Sequence, residues 1–287
     1  MLDVRIIRFH DRDGQIVVGK DLGNGQAERL SGYPFDRQPI GAVAEDWPAP
    51  ESILTTGEMC SIPDQRLSPL DPCNIFCIGL NYAEHAREGG SEPPEKPVVF
   101  MKPTSTVSNP GDPIRIPASQ LSGPETDYEC ELAVIIGKAA RDVSEDDALN
   151  HVFGYTCAND VSARNWQRNG GGGQWIKGKG FDSFCPLGPT IVTSDEITDP
   201  QSLTIRTILN GQVMQESHTS DMIFSVRVLI SFLSRDMTLL PGTVILTGTP
   251  SGVGFARKPP VWLAAGDQVT IEVEKVGQLS NPVLAAE

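Results

Sequence analysis

The sequence predicts an α+β protein that is mostly β and contains mixed sheets. Short apolar runs, each bounded by Gly, Pro or Asp, recur along the chain and are typical of strands. These runs cover residues 74–80, 97–101, 132–136, 190–193 and 244–247. Asn210-Gly211 separates two further segments, and both residues tolerate the positive φ angles of a two-residue hairpin turn. A second pair of strands flanks Val276-Gly277.

Apart from short helical turns, two segments have the pattern of a helix. One follows Ser144, with Asp147 placed to close the first turn, and the other covers residues 221–235. The second helix has a single apolar stripe, as a helix packed on a sheet requires, formed by Met222, Ile223, Val226, Ile230 and Leu233.

The chain is expected to divide near residue 70. Residues 1–69 predict a small β-rich N-terminal module, with two strands around Asp13-Gly14, and a Pro-rich linker placed at 45–72. Residues 70–287 then form the catalytic domain, and 287 residues in all can bury a sizeable core.

The composition argues against several classes of protein. With a net charge of -14 and no stripe rich in Lys or Arg, the chain is not expected to bind nucleic acid. It has no apolar run of membrane-spanning length, and its first residues are too charged for a signal peptide, so we expect no membrane partner and a cytoplasmic location. Six cysteines without a CxxC pair suggest reduced core residues.

Three acidic residues are candidate metal ligands. Glu129 and Glu131 lie two apart at the start of a predicted strand, so both carboxylates leave the same face. Asp160 follows another strand-like segment and can supply a third oxygen. Mg²⁺ relieves the repulsion between carboxylates and prefers oxygen ligands, and Mn²⁺ or Ca²⁺ is also compatible. The alternative is an exposed polar strand edge.

Arg164 and Gln167 are candidate substrate-binding residues. On a helical turn that begins at Asp160, the three side chains would share one face, and a guanidinium fits a carboxylate. A plain salt bridge between Asp160 and Arg164 within the helix is the alternative.

His85 and Glu88 lie three apart on a short predicted helix, where the glutamate can orient the imidazole as a general base. A surface histidine beside a glutamate is the alternative. Lys179 is the lysine of a segment, Gly173 to Lys179, that fits G-x-x-x-x-G-K, but Gly180 stands where a P-loop has Ser or Thr. We therefore interpret Lys179 as a fixed cation near a developing oxyanion, with the glycines at 170–173 as a mobile lid.

Residues 245–254 predict a strand that ends in a glycine-rich turn. Backbone amides and hydroxyls there can receive a ligand carboxylate. A tight connection between strands is the alternative.

Six ordered motifs resemble the fumarylacetoacetate hydrolase family, from about Asn74 to Val283. They are Gly79-Leu-Asn-Tyr, Phe100-Met-Lys-Pro, Tyr128-Glu-Cys-Glu-Leu, Asn159-Asp-Val-Ser-Ala-Arg, Gly178-Lys-Gly-Phe-Asp and Thr247-Gly-Thr-Pro-Ser-Gly-Val-Gly. The resemblance is to the smaller subgroup, with acylpyruvate hydrolases, oxaloacetate decarboxylases or tautomerases, and 2-hydroxyhepta-2,4-diene-1,7-dioate isomerases.

The resemblance implies a β-sandwich roll that assembles as a homodimer. It implies that the metal ligands are Glu129, Glu131 and Asp160. It implies a catalytic dyad of His85 and Glu88 and a catalytic lysine, Lys179. The implied substrate contacts are Arg164, Gln167 and Thr249. The founding-type hydrolases have Asp where this chain has Asn81, which puts a fourth carboxylate ligand in doubt.

The expected function is that of a metal-dependent hydrolase. It would cleave a carbon-carbon bond in a small 2,4-dioxo acid resembling an acylpyruvate, through a metal-chelated enolate. An oxaloacetate-type decarboxylase or tautomerase, or a dienoate isomerase, is the alternative on the same scaffold. A non-catalytic β protein that binds a metal and a small anionic 2-oxo or dioxo acid is a further alternative.

Overall fold

The fold is built on a long mixed sheet whose two central strands are buried along their whole length. The computed structural model describes residues 5–32, 35, 54–90, 92–120 and 123–285. Strands β10 (Cys130–Ile136) and β11 (Val152–Asn159) are buried at every position. Both are mainly apolar without strict alternation, as expected of strands covered on both faces. They pair in antiparallel orientation in the middle of the sheet.

Nine further strands complete this sheet. They are β1 (Arg5–His10), β2 (Ile16–Asp21), β3 (Gln26–Leu30), β4 (Thr55–Ser61), β5 (Ile75–Gly79), β6 (Val98–Met101), β7 (Val107–Ser108), β13 (Cys185–Thr193) and β16 (Val244–Leu246). The order is β4-β3-β2-β1-β13-β11-β10-β16-β5-β6, and β7 pairs with β13. Two of the pairs, β16 with β5 and β13 with β7, are parallel, so the sheet is mixed as predicted.

A second sheet packs against the centre of the first. It consists of β8 (Ile114–Arg115), β14 (Thr204–Leu209), β15 (Gln212–His218), β17 (Gln268–Val273) and β18 (Gly277–Leu284), in the order β15-β14-β17-β18-β8. Leu132 and Val134 of β10 share one core cluster with Ile205 and Ile271 of the second sheet. This packing confirms the predicted mostly β sandwich. A separate two-stranded pair joins β9 (Thr126–Asp127) to β12 (Ser162–Ala163).

The N-terminal strands extend the main sheet. Arg5 and Ile6 of β1 pair with Val192 and Ile191 of β13, so β1 to β4 continue the sheet that contains β10 and β11. The domain boundary near residue 70 stays a prediction.

The predicted linker at 45–72 is wrong in its middle part. Residues 55–61 form β4, because this segment pairs with β3 in antiparallel orientation. The part of the predicted linker before Leu54 lies outside the described residues.

The longest helix begins later than predicted. Helices α1 (Ala83–Glu88), α2 (Ile176–Lys179) and α3 (Val226–Ser234) are short. The backbone amides of Ile223 and Phe224 donate to Asn81, at its carbonyl and side-chain oxygens, which takes that segment out of the helix. The Ser225 side chain then accepts from the Val228 amide and caps α3.

The helix predicted after Ser144 is reduced to a single turn. Ser144 Oγ does accept from the Asp147 amide at 3.2 Å, and it donates to Asp147 Oδ2 at 2.8 Å. Only a 3₁₀ turn follows, because the chain enters β11 immediately afterwards. The 3₁₀ turns are Thr104–Thr106, Ala148–His151, Thr219–Asp221 and Gly254–Ala256, and Trp166–Gly170 is a π-helical turn.

The predicted hairpins are confirmed. Asn210 and Gly211 have φ angles of 51° and 82° and join β14 to β15. Lys275, with φ of 64°, lies in the turn that joins β17 to β18.

No helix in the described ranges is long and apolar enough to cross a membrane.

All six cysteines are free, and four of them are buried.

A substitution at Gly211 measures how much the turn between β14 and β15 depends on glycine. Gly211→Ala should lower the free energy of unfolding by about 1 kcal/mol, because a side chain disfavours the left-handed conformation. A Cβ there has open space around it, so no clash contributes. Urea unfolding measures the change. Gly32→Ala is the control, since Gly32 has equal space and no positive φ; an equal loss in both variants would contradict the explanation.

Candidate active site

The candidate site lies at one edge of the main sheet, where four chain segments meet. The start of β10 is adjacent to the ends of β11 and β16, because both strands run antiparallel to it. The end of β5 joins them, because β5 is parallel to β16. A pocket of about 140 Å³ opens here. It is lined by Ile78, Gly79, Leu80, His85, Phe100, Glu129, Glu131, Arg164, Gln167, Arg168, Trp175, Lys179, Thr249 and Phe255.

The three predicted metal ligands lie together in this pocket or directly beneath it. Cys130 pairs with Asn159 across β10 and β11, which brings Glu129 and Glu131 next to Asp160. Each residue offers an oxygen, and these atoms all lie within 4.8 Å of one another. All three residues are buried, so the alternative of an exposed polar strand edge is excluded.

Two of these carboxylates are paired with buried cations. The Nζ atom of Lys179 lies 2.6 Å from Glu129 Oε2 and 2.8 Å from Asp160 Oδ2. Lys102 Nζ lies 2.5 Å from Asp160 Oδ1. Burial opposes the charge on Glu129, but Lys179 and Arg164 outweigh it and lower the pKa of Glu129 to about 2. Burial likewise disfavours the ammonium of Lys179, but Asp160 and Glu129 raise its pKa, so it stays protonated.

Glu131 is in a different electrostatic environment. Its Oε2 accepts a hydrogen bond of 2.6 Å from the Gly248 amide, and no cation in the described ranges forms an ion pair with it. Burial, together with the charges of Asp160 and Glu129, raises the pKa of Glu131 well above its usual value. A third carboxylate that lacks a cation, beside two others, is a donor set that fits a hard divalent ion. The residues present can therefore hold Mg²⁺, Mn²⁺ or Ca²⁺.

His85 and Glu88 form the predicted dyad. His85 is buried on α1, and its Nδ1 lies 3.3 Å from Glu88 Oε2. A carboxylate accepts, so Nδ1 carries a proton, and in the neutral form of this imidazole Nε2 has the free lone pair. Glu88 is held in turn by the Gly252 amide at 3.0 and 3.1 Å. Because His85 lines the pocket, the alternative of a surface histidine is excluded.

The glycine-rich turn after β16 binds protein carboxylates. The amides of Gly248, Gly252 and Gly254 donate to Glu131, Glu88 and Asp127, respectively. The prediction that amides of this turn receive a ligand carboxylate is therefore wrong for these three groups, because acidic side chains of the chain already occupy them.

Arg164 reaches the site from a segment that is not the predicted helical turn. The short strand β12 separates Asp160 from the π-helical turn, so these residues do not share a helix face. Arg164 pairs with Asp127 at 2.8 Å and Glu129 at 2.6 Å, and the expected alternative, a salt bridge to Asp160, is absent from the described ion pairs. Its Nη1 also donates to Gln167 at 3.1 Å. Its Nη2 is buried and has no partner in the described ranges.

Sequence reasoning missed Asp127 and Lys102, two buried charged residues that pair with residues of the site. Asp127 accepts from Arg164 and from the amides of Gly254 and Phe255. Its position, two residues before Glu129, follows the same alternation that singled out Glu129 and Glu131. Lys102 lies within a motif that carried the family resemblance, but nothing in its neighbourhood in the sequence points to Asp160.

Thr249 lines the pocket, and its position depends on a residue that sequence reasoning also missed. Gln215 Nε2 donates to Thr249 Oγ1 at 2.9 Å and to the Pro250 carbonyl at 2.8 Å. Gln215 Oε1 accepts from the Cys130 amide at 3.0 Å, which ties this turn to the start of β10. Gln215 lies in an ordinary hairpin strand, so the sequence contains no signal for this role.

Asn81 binds backbone carbonyls and does not join the acidic cluster, by which we mean Glu129, Glu131 and Asp160. Its Nδ2 donates to the carbonyls of Thr247 at 2.7 Å and Phe224 at 3.0 Å. The group of acidic residues thus contains three carboxylates, as the sequence suggested.

Removal of the charge on Glu131 should stabilise the protein when EDTA is present. Because the pKa of Glu131 is raised in the folded state, the folded protein binds the extra proton, and the free energy of unfolding falls as pH rises above the unfolded value of about 4.3. Glu131→Gln removes this unfavourable buried charge, so it should raise the free energy of unfolding near pH 7.5, and the gain should shrink toward pH 5. Urea unfolding from pH 5 to pH 8 measures it; a difference between variant and parent that does not grow with pH would contradict the assignment.

Lys102→Met should be strongly destabilising. The substitution leaves Asp160 buried with one cation fewer, so the free energy of unfolding should fall by about 3–5 kcal/mol. Arg141→Met is the control, because Arg141 forms an exposed ion pair with Asp142 and should contribute less than about 1 kcal/mol. Similar losses in the two variants would show that Lys102 does not compensate a buried charge.

Comparison with known proteins identifies close relatives along the whole chain. A Xenopus laevis protein named oxaloacetate tautomerase fahd2, mitochondrial, is 50% identical over 294 residues, covering 99% of this chain and 91% of the relative. The Homo sapiens protein oxaloacetate tautomerase FAHD2A, mitochondrial, is 45% identical over 213 residues, covering 74% and 67%. The crystal structure of 5-carboxymethyl-2-hydroxymuconate delta-isomerase from Mycobacterium smegmatis matches with a TM-score of 0.81 and 38% identity, covering 98% and 99%.

The prediction of a cytoplasmic location is contradicted by these relatives. The Xenopus laevis, Bos taurus and Homo sapiens proteins are named as mitochondrial. The charge of the first residues argues against a secretory signal peptide but does not distinguish the cytoplasm from the mitochondrion, which is why this prediction was wrong.

A family model provides the assignment. The model described as fumarylacetoacetate (FAA) hydrolase C-terminal matches residues 74–284, which include all the candidate site residues. The motifs, the β-sandwich and the sequence relatives agree with this match, and the chain belongs to the fumarylacetoacetate hydrolase family.

Proposed function

We propose that this protein is a keto-enol tautomerase of a small 2-oxo dicarboxylic acid such as oxaloacetate. The observation that carries the proposal is one pocket lined by His85, whose ring is paired with Glu88, together with the ammonium of Lys179 and the carboxylates of Glu129 and Glu131. Relatives named oxaloacetate tautomerase support the same reaction. The expected carbon-carbon hydrolysis has less support, because the relatives' names agree with the alternative of a tautomerase or an isomerase.

Glu129, Glu131 and Asp160 are the proposed metal ligands, and Mg²⁺ is the proposed ion, with Mn²⁺ or Ca²⁺ compatible. When bound, such an ion supplies Lewis-acid polarisation of the 2-oxo group. The proposal draws on the burial of all three carboxylates and on the absence of a cation partner for Glu131 in the described ranges.

Lys179 and the dyad then carry the proton chemistry. The ammonium of Lys179 donates to the C2 oxygen of the substrate as negative charge develops there. His85 Nε2 removes a proton from C3 of the keto form or returns one to C3 of the enol form, while Glu88 stabilises the imidazolium. The C2 oxygen exchanges its proton with solvent. No bond between carbon atoms breaks and no water is consumed, so one base at C3 and one cation at the oxygen suffice.

Arg164, Gln167 and Thr249 are the proposed substrate contacts. Arg164 has a buried Nη2 that no described residue satisfies, so a substrate carboxylate would remove an uncompensated donor. Thr249 is fixed by Gln215, which gives its hydroxyl a defined position on the pocket wall. The family resemblance also supports a homodimer as the proposed assembly.

A ¹H NMR time course in D₂O tests the proposal. Oxaloacetate with protein and Mg²⁺ should exchange its C3 hydrogens and equilibrate between keto and enol forms faster than without protein, and EDTA should remove the effect. His85→Ala should lower the rate about 10²–10⁴-fold, as expected for loss of a general base. Glu88→Gln should lower it less, because the imidazole remains.

The matched control is His10→Ala, because His10 is exposed and lies outside the pocket lining. It should leave the rate unchanged. Acetate and pyruvate from acetylpyruvate, without acceleration of exchange in oxaloacetate, would move the assignment to hydrolysis. Net release of pyruvate from oxaloacetate would move it to decarboxylation.

A further inference from the structure

Arg168 is a pocket residue to which neither the sequence motifs nor the proposed proton chemistry assigns a role. It lies in the π-helical turn Trp166–Gly170, four residues after Arg164, and it lines the pocket. Its guanidinium carbon is 4.4 Å from the centroid of the Phe255 ring. The guanidinium carbon of Arg164 is 4.6 Å from the same centroid. Two cationic side chains therefore contact one aromatic ring at the pocket.

The two arginines differ in how their charges are compensated. Arg164 is paired with Asp127 and Glu129. Arg168 forms no ion pair or hydrogen bond with any residue in the described ranges. Partial burial and the neighbouring charge of Arg164 lower the pKa of Arg168. In a chain of net charge -14, an unpaired guanidinium beside a second guanidinium is an arrangement that an anion would stabilise.

The stacking also leaves Arg168 able to bind such an anion. The guanidinium carbon of Arg168 lies over the Phe255 ring, and a guanidinium that contacts a ring through its face keeps its N–H donors in its own plane, where a carboxylate can reach them. The ring fixes the plane of the group, so less rotational freedom is lost when a carboxylate binds to its edge. The buried, unpartnered Nη2 of Arg164 is a second donor in the same pocket.

The positions of these groups separate two ends of a ligand. One end of the pocket contains Glu129, Glu131 and Lys179. Lys179 contacts Glu129 directly, and Glu131 lies close to Glu129. Arg164 touches Glu129 and stacks on Phe255, and Arg168 stacks on Phe255 without touching the acidic cluster. The 2-oxo acid function of a substrate belongs beside the acidic cluster and Lys179. A second anionic group on the same small molecule would then reach Arg168.

We propose that Arg168 is a specificity-determining residue that binds the distal carboxylate of the substrate, so that the pocket selects dicarboxylic over monocarboxylic 2-oxo acids. This inference rests on the proposed function for the position of the 2-oxo acid end. It adds a recognition role to Arg168, which stands apart from the proposed metal ligands and the dyad.

Equilibrium binding tests the proposal without turnover. Malate and 2-hydroxybutanoate differ only in a terminal carboxylate against a methyl group, and neither has a keto group that can enolise. Isothermal titration calorimetry with Mg²⁺ should give about tenfold tighter binding of malate by the parent protein, as expected for one charge-assisted hydrogen-bonded pair. Arg168→Gln should remove that preference and leave the affinity for 2-hydroxybutanoate unchanged. Arg168→Lys should keep part of the preference for malate, because the positive charge remains.

Arg12→Gln is the matched control, because it removes the same charge from an exposed residue outside the pocket lining. It should leave both affinities unchanged, whereas a non-specific charge effect would weaken malate binding in both variants. If Arg168→Gln leaves the preference for malate intact, or weakens both ligands equally, the assignment of Arg168 is wrong. Failure of the proposed tautomerase would show separately, as no acceleration of exchange in oxaloacetate by a protein that still prefers malate.

Discussion

The antiparallel register of β10 and β11 is the constraint on which the site depends. Pairing of Cys130 with Asn159 brings the acidic start of one strand beside the acidic end of the other. A slip of one residue would turn every side chain of β10 to the opposite face. Since both strands are buried throughout, the surrounding core fixes this register on both faces. The packing of the sandwich therefore also determines the separation of the carboxylates.

Concentration of buried carboxylates is costly, and the rest of the site compensates for it. Lys102, Lys179 and Arg164 arrive from three different segments and pair with Asp160 and Glu129. The turn after β16 adds amide donors, and its backbone can bring them there because Gly248 and Gly252 have φ angles of 97° and 98°. Those amides bind Glu131 and Glu88, so one turn positions both the acidic cluster and the dyad.

Chemistry and recognition come from different parts of this scaffold. The dyad lies on α1 after β5, close to the strand ends that carry the acidic cluster. Arg164 and Arg168 come from the segment after β11, in which β12 pairs with β9 outside the main sheet and a π-helical turn follows. The groups proposed for proton transfer therefore lie at the edge of the main sheet, whereas the two arginines proposed for substrate binding lie outside that sheet. Such a division suits a family whose named relatives are tautomerases and isomerases.

The sequence by itself determined the mostly β class, the hairpin at Asn210-Gly211 and the residues that would meet at the site, because alternation, turn chemistry and motif order are local properties. It misplaced the start of α3 and the path from Asp160 to Gln167, where distant partners such as Asn81 and Thr126 compete with local helix formation. Only the tertiary structure decided which charge faces which. Asp127, Lys102 and Gln215 act across 37, 58 and 85 residues of sequence, and contacts at that separation leave no periodic signal. The burial that raises the pKa of Glu131 likewise follows from packing and from no property of the residue alone.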